Sequence, residues 1–243
     1  MSDLQHLLAI DDLGDDFRAI LEWAIRFKQD PDRDYDFKPL DELSIGCIYE
    51  KPSTRTRVSF EVGVHKLGGQ ALTLLKGDIQ MGKSETIADT GAVLSRFLDG
   101  ITYRCFGHEM VEELSSNSSV PVINALSSKH HPCQAAADLM TIMERNPSLE
   151  GERVVWVGDG NNVLHDLMLA CAMLGVDCVW AVPKGFEPEN DVVFKSVGME
   201  ENKLGVSRKI NVLTKNESKK LGAILKTASG FGGGNASLIL KQV

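Results

Sequence analysis

Apolar residues recur along the chain at two spacings, and the alternation between them outlines a fold. Phe17, Ile20, Leu21, Ala24, Ile25 and Phe27 follow an acidic start at helical spacing, which predicts an amphipathic N-terminal helix ended by Asp30-Pro31. Short apolar runs then alternate with helical patterns: strand 44–49, helix 54–67, strand 70–75, helix 85–98, strand 101–106, helix 108–115 and strand 121–126. This alternation predicts βαβ units around a mainly parallel sheet. A long helix from about His131 to Arg145 follows, and the breakers Asn146-Pro147-Ser148 and Glu150-Gly151 put a domain boundary at 150. Beyond it come a strand at 154–157, the loop Gly158-Asp159-Gly160-Asn161-Asn162, a helix through Leu174 and a strand at 178–182. The fold class is α/β with two domains, 1–150 and 151–243, each a mainly parallel sheet flanked by helices. Residues 184–220 are rich in Lys, Glu and Asn and carry little periodicity. Gly230-Phe231-Gly232-Gly233-Gly234-Asn235 reads as a turn before a terminal strand at 236–240.

Composition narrows the function classes. With 243 residues and 43% hydrophobic content the chain can bury a substantial core. A net charge of -8 disfavours a general nucleic-acid binder and suits a protein that gathers positive charge at one loop for a small anion. Cys47, Cys105, Cys133, Cys171 and Cys178 lack paired or metal-like spacing, which reads as reduced thiols in a cytoplasmic protein. The start has no basic-then-apolar leader, and Asp177 interrupts the apolar stretch near 167–182, so neither export nor a membrane partner is expected.

The most informative segment is Lys51-Pro52-Ser53-Thr54-Arg55-Thr56-Arg57. It lies at a strand-to-helix turn, where unpaired backbone N–H groups, three hydroxyls and two guanidinium groups suit phosphate oxygens. A Ser/Thr helix cap with solvated arginines is the plainer reading, but Arg55 and Arg57 crowd like charge onto the positive end of the helix dipole, a cost that an anion offsets. Arg104 interrupts an apolar strand, so it either completes a positive pocket or pairs with an acidic neighbour. His130-His131-Pro132-Cys133-Gln134 opens the long helix, with a proline tolerated at the first helical position. Its His131 and Gln134 then sit at a strand's carboxyl end, where they suit a small acyl or amide group or serve as surface and cap residues. Gly77 to Glu85, with Gln80, is a polar loop that closes over a ligand, reaches another subunit or merely connects. Gly158-x-Gly160 has Val163 where a dinucleotide fingerprint needs its third glycine, so no nicotinamide is expected. Asn161 and Asn162 either contact a substrate or serve the turn. Cys133 packs unless a neighbouring base activates it.

Taken together, Glu50-Lys51-Pro52-Ser53-Thr54-Arg55-Thr56-Arg57, Asp78-Ile79-Gln80-Met81-Gly82, Arg104 before Phe106-Gly107-His108, His131-Pro132-Cys133-Gln134 and Gly158-Asp159-Gly160-Asn161-Asn162 resemble the carbamoyltransferases, in that family's order, over about residues 5–185. Cys133 in His-Pro-Cys-Gln is similar to the ornithine branch. The resemblance implies a carbamoyl-phosphate domain joined to an amino-acid domain, ornithine as co-substrate, a homotrimer with sites at subunit interfaces, and no metal or organic cofactor. It assigns the phosphate to Ser53, Thr54, Arg55 and Thr56, with Arg104 bridging phosphate and carbonyl. His131 would polarise the carbonyl, while Pro132, Cys133 and Gln134 would hold the carbamoyl amide. Gln80 belongs to the neighbouring loop, Asn162 matches an ornithine contact, and Ser196 matches the family's later serine. Arg55, Arg104 and His131 are the implied catalytic residues.

After Gly185 the chain departs from the pattern: the family's late His-Cys-Leu-Pro segment is missing, and the second domain is shortened. The tail Gly230 to Ser237 is similar to a short motif of β-ketoacyl synthases. The readings are therefore an ornithine-type carbamoyltransferase, a carbamoyltransferase for another amine, or a carbamoyl-phosphate-binding protein that has lost turnover. An acyl transferase rests on the tail alone.

Overall fold

A computed structural model describes residues 5–29 and 37–192, and the backbone of 223–229 and 235–241. By internal contacts the chain divides into two units, Met1–Asp12 with Arg26–Cys133, and Leu13–Ile25 with Gln134–Val243.

The first unit is built on a parallel four-stranded sheet in the order β2-β1-β3-β4. Its strands are β1 (Ser44–Tyr49), β2 (Gln70–Leu75), β3 (Gly100–Arg104) and β4 (Val122–Leu126). Their crossovers are helices α2 (Thr54–Lys66), α3 (Ile87–Leu94) and α4 (His108–Ser116), whereas most of the N-terminal α1 (Phe17–Gln29) belongs to the second unit. β1 is central and apolar on both faces, as parallel strands covered by helices are. Ile48, Leu98, Ile101, Tyr103, Val111, Leu114 and Val122 form the core beneath the sheet's carboxyl edge. The expected parallel βαβ arrangement is present, with ends shifted by a few residues. α3 is shorter than its apolar pattern because Thr86 caps it, accepting from Asp89 N, and the chain turns away after Leu94.

Helix α5 (Pro132–Met143) carries the chain onward. In the second unit β5 (Arg153–Val157) pairs in parallel with β6 (Asp177–Ala181) through α6 (Asn162–Leu174). α6 is buried from Val163 to Ala172. Asn161 caps its start, its side chain accepting from Val163 N and Leu164 N, and Gly175 ends it at φ 68°, in the left-handed region that glycine enters without steric cost. Gly160 has a different reason to be glycine: a Cβ there would collide with the Pro188 backbone. β7 (Ala223–Ser229) and β8 (Asn235–Lys241) form an antiparallel pair. The terminal strand agrees with its expected place, whereas β7 went unread because a short apolar run carries no decisive period.

Candidate active site

The sheet's register builds the first part of the site. Tyr49 of β1 stands opposite Arg104 of β3, so the loops that leave both strands start side by side at the carboxyl edge. Between β3 and β4 the pairing slips from Tyr103↔Asn124 to Arg104↔Leu126, a bulge at the rim, where such irregularities re-aim a side chain. Arg104 is half-buried and reaches the neighbouring loop, its Nη1 donating to Thr56 Oγ1 at 3.1 Å. Its Nε is buried with no hydrogen-bond acceptor among the described residues. A guanidinium in that state is costly without an anion.

Thr56 lies in the first turn of α2. Ser53 is the cap: its Oγ accepts from Thr56 N at 3.3 Å and meets Thr56 Oγ1 at 2.9 Å. Thus Ser53, Thr56 and Arg104 form one hydrogen-bonded set around a helix N-terminus, with Thr54 and Arg55 exposed beside it. The capping reading of Ser53 holds, and the capping serine is also a member of the set. Arg57 stands apart, bonded through Nε to Glu61 Oε1 at 2.9 Å one turn on, so the like-charge cost at the helix start is partly met within the helix. Lys51 and Lys76 flank the Phe106 ring at 4.9 and 5.4 Å, and Lys76 also pairs with the buried Glu50 at 3.3 Å.

His131 belongs to the same unit and is buried. Burial, with the Arg104 charge acting in the same direction, lowers its pKa to about 4, so the imidazole is neutral at pH 7. A polar knot shapes the turn that delivers it. Asn124 Nδ2 donates to Leu8 O at 2.8 Å and to His130 O at 3.3 Å, Ser127 Oγ meets His108 Nδ1 at 2.8 Å, and Ser127 N donates to His130 O at 2.9 Å. Pro132 occupies the first position of α5, where no helical N–H is missed. Cys133 is half-buried, with Sγ 3.8 Å from Asn124 O, and all five cysteines are free thiols.

In the second unit Gln134 is buried, and its Nε2 donates to Asp138 Oδ1 at 3.0 Å one turn along α5. Asn161 is occupied by capping, and Asn162 begins α6. Gln80 is exposed in a loop that curls on itself: its Oε1 accepts from Ser84 Oγ at 3.3 Å, and its backbone oxygen accepts from Lys83 N at 2.9 Å. No hydrogen bond among the described residues joins Gln80 to the Ser53–Thr56–Arg104 set. Ser196 lies outside the described residues. The described residues contain no metal-binding cluster and no helix long and apolar enough to cross a membrane.

Reading the sequence passed over Asn124, Ser127 and Asp138. A signal was present for each: an amide inside an apolar strand, a serine just after it, and an acid four residues beyond Gln134 on the apolar face of a helix.

Comparison with known proteins gives two family matches. Residues 5–144 match the aspartate/ornithine carbamoyltransferase carbamoyl-P binding domain, and residues 150–227 match the Asp/Orn binding domain of the same family. The ornithine carbamoyltransferase of Anoxybacillus flavithermus is 49% identical over 179 residues, 74% of this chain and 57% of that protein. That of Methanosphaera stadtmanae is 45% identical over 207 residues, 85% of this chain and 67% of the relative. Among solved structures, ornithine carbamoyltransferase from Pyrococcus furiosus superposes with a TM-score of 0.77 at 45% identity, covering 81% of this chain and 63% of that one. Ornithine transcarbamoylase from Giardia lamblia gives 0.77 at 32% identity, covering 88% and 70%. The chain thus spans between about half and two thirds of the length of these two curated relatives.

Proposed function

The chain belongs to the aspartate/ornithine carbamoyltransferase family, and we propose that it carries out the ornithine-type reaction, moving the carbamoyl group of carbamoyl phosphate to the δ-amine of ornithine to give citrulline and phosphate. The observation that carries this reading is the Ser53–Thr56–Arg104 set, with its half-buried, partly unsatisfied guanidinium beside a neutral His131.

In this mechanism the phosphate rests on Ser53, Thr54, Arg55 and Thr56, and Arg104 spans phosphate and carbonyl. His131, uncharged, donates a hydrogen bond to the carbonyl oxygen. Pro132, Cys133 and Gln134 hold the carbamoyl amide, Gln80 supports the ligand, and Asn162 and Ser196 serve the amino acid. The neutral amine attacks the carbamoyl carbon: a C–N bond forms, an electron pair moves onto oxygen, and Arg104 and His131 stabilise the oxyanion. Collapse breaks the C–O bond to phosphate, and the departing phosphate takes up the proton that the amine gives up. No metal or organic cofactor takes part.

The working protein is a cytoplasmic homotrimer with domains at 1–150 and 151–243. Association of copies is supported by the outer face of α2, where Val58 and Val62 are 52% and 45% exposed. A second reading is carbamoyl-phosphate binding without turnover, since the Ser53–Thr56–Arg104 set is assembled within the first unit alone. One sample decides between them. Citrulline formed from carbamoyl phosphate and ornithine supports the enzyme. A ligand-induced rise in Tm without product supports the binding protein, and no rise at all overturns both.

A further inference from the structure

Asn124 is an amide inside an apolar strand, fully buried in β4 between Ile123 and Ala125. A buried amide needs partners at both ends, and here they fix which way it lies. Its Oδ1 accepts from Leu126 N at 3.0 Å, while Nδ2 donates to Leu8 O at 2.8 Å and lies 3.3 Å from both His130 O and Ser127 Oγ. A backbone N–H only donates and a carbonyl only accepts. Turning the amide over would therefore set donor against donor at one end and acceptor against acceptor at the other.

The two ends serve different parts of the first unit. Leu126 stands opposite Arg104, and Ala125 is the extra residue that the bulge inserts between Asn124 and Leu126. The Oδ1 bond spans that insertion as an Asx turn does, so it holds the bulge whose slip re-aims Arg104. The Nδ2 end holds the carbonyl of His130, the residue immediately before His131. The N-terminal segment supplies the anchor. Asn124 N donates to Leu7 O at 2.7 Å and Leu7 N donates to Val122 O at 2.9 Å, so this segment lies along β4, and Leu8 O takes one Nδ2 hydrogen and leaves the other for the turn.

We infer that Asn124 is a positioning residue that spaces Arg104 from His131, its oxygen fixing the first through the β4 bulge and its nitrogen fixing the second through the His130 carbonyl. The inference rests on the proposed carbamoyl-phosphate reading, in which these two side chains meet one carbonyl oxygen. A displacement of about 1 Å in such a pair costs up to about a hundredfold, so an amide remote from the chemistry decides how well the carbamoyl group is held.

The test uses Asn124→Ser and Asn124→Leu in the full chain, with carbamoyl phosphate and inorganic phosphate as calorimetric probes. Serine keeps an acceptor for Leu126 N but is too short to reach Leu8 O or His130 O, and leucine keeps no polar group at similar volume. In Asn124→Ser, inorganic phosphate affinity should stay within about twofold while carbamoyl-phosphate affinity falls about tenfold or more. In Asn124→Leu both should fall about tenfold, because the bulge opposite Arg104 is released as well. On the wild type, the Asn124 side-chain N–H signals in NMR should shift when carbamoyl phosphate binds and much less with inorganic phosphate, a measurement that holds whether or not a variant folds. A serine variant that keeps the wild-type preference for carbamoyl phosphate, or loses both ligands in proportion, overturns the inference. So does an Asn124 signal that answers both ligands alike, and so does unchanged phosphate affinity in a folded leucine variant, since the oxygen then does not place Arg104. A wild type that binds no carbamoyl phosphate overturns the functional reading and this inference with it.

Discussion

Arg104 donates from Nη1 to Thr56 Oγ1 across 3.1 Å, tying the carboxyl end of β3 to the first turn of α2. The bond holds a guanidinium fork against a helix N-terminus, two devices that each favour an anion and that act here on the same point.

Arg104→Lys is therefore expected to be far from conservative. It keeps a positive charge but loses the fork that serves Thr56 and an anion together. Calorimetry should show carbamoyl-phosphate affinity reduced by roughly ten- to a hundredfold, the scale of a lost charge-assisted hydrogen bond. Equal affinity in the two proteins shows that a point charge is enough.

Arg55 is exposed, so Arg55→Ala removes the proposed phosphate contact without opening the core. Binding should weaken by about tenfold or more while the Tm of the unliganded protein moves little. A large loss of Tm with unchanged affinity identifies the side chain as structural.

Ser53→Ala tests the cap. The variant loses the acceptor for Thr56 N and the partner of Thr56 Oγ1, and denaturant unfolding should show a loss of about 1 kcal/mol. Its phosphate affinity should fall as well, because the same hydroxyl belongs to the set proposed to hold the anion.

Two buried groups give opposite pH dependences. Burial raises the Asp138 pKa from 3.8 to about 6, the Gln134 bond pulling the other way, so between these values the native chain keeps a proton that the unfolded chain releases. Stability from this group falls as pH rises through that window and stays low above about 6. His131 is lowered from 6.5 to about 4, so there the unfolded chain takes up a proton that the native chain refuses, and stability rises with pH over the same range. Each slope is about 1.4 kcal/mol per pH unit and the signs oppose. Asp138→Asn should therefore leave a steeper rise between pH 4 and 6.5 and be more stable than the wild type at pH 8, by about 1–3 kcal/mol. Denaturant midpoints at pH 4.5, 5.5, 6.5 and 8 measure this, and a parallel shift at every pH contradicts it.

Much of the first unit was readable because its signals are local. β1 and β2 appear at the positions their apolar runs mark, and Ser53-Thr54-Arg55-Thr56 sits at the strand-to-helix turn expected of it. What the chain order hides is which side chains pair. That Arg57 belongs to Glu61, that Arg104 reaches Thr56 past a bulge, and that Gln134 answers to Asp138 are side-chain choices made by burial and geometry. The second unit was legible in its βαβ repeat and its terminal strand but not between them, since residues 184–220 carry too few apolar positions to mark a period.

The central place of β1 also bears on how the cradle comes into being. Its neighbour β3 lies some fifty residues further on, and Thr56 and Arg104 are 48 positions apart in sequence. Closing that loop is an entropic barrier that local helix formation cannot lower. A nascent or partly opened chain holding α2 alone has the hydroxyls and Arg55 but not the Arg104 guanidinium, and should capture the anion less well. Ligand added during refolding should accordingly slow unfolding rather than speed folding, and hydrogen exchange at the β1–β3 ladder should be the first protection that carbamoyl phosphate deepens.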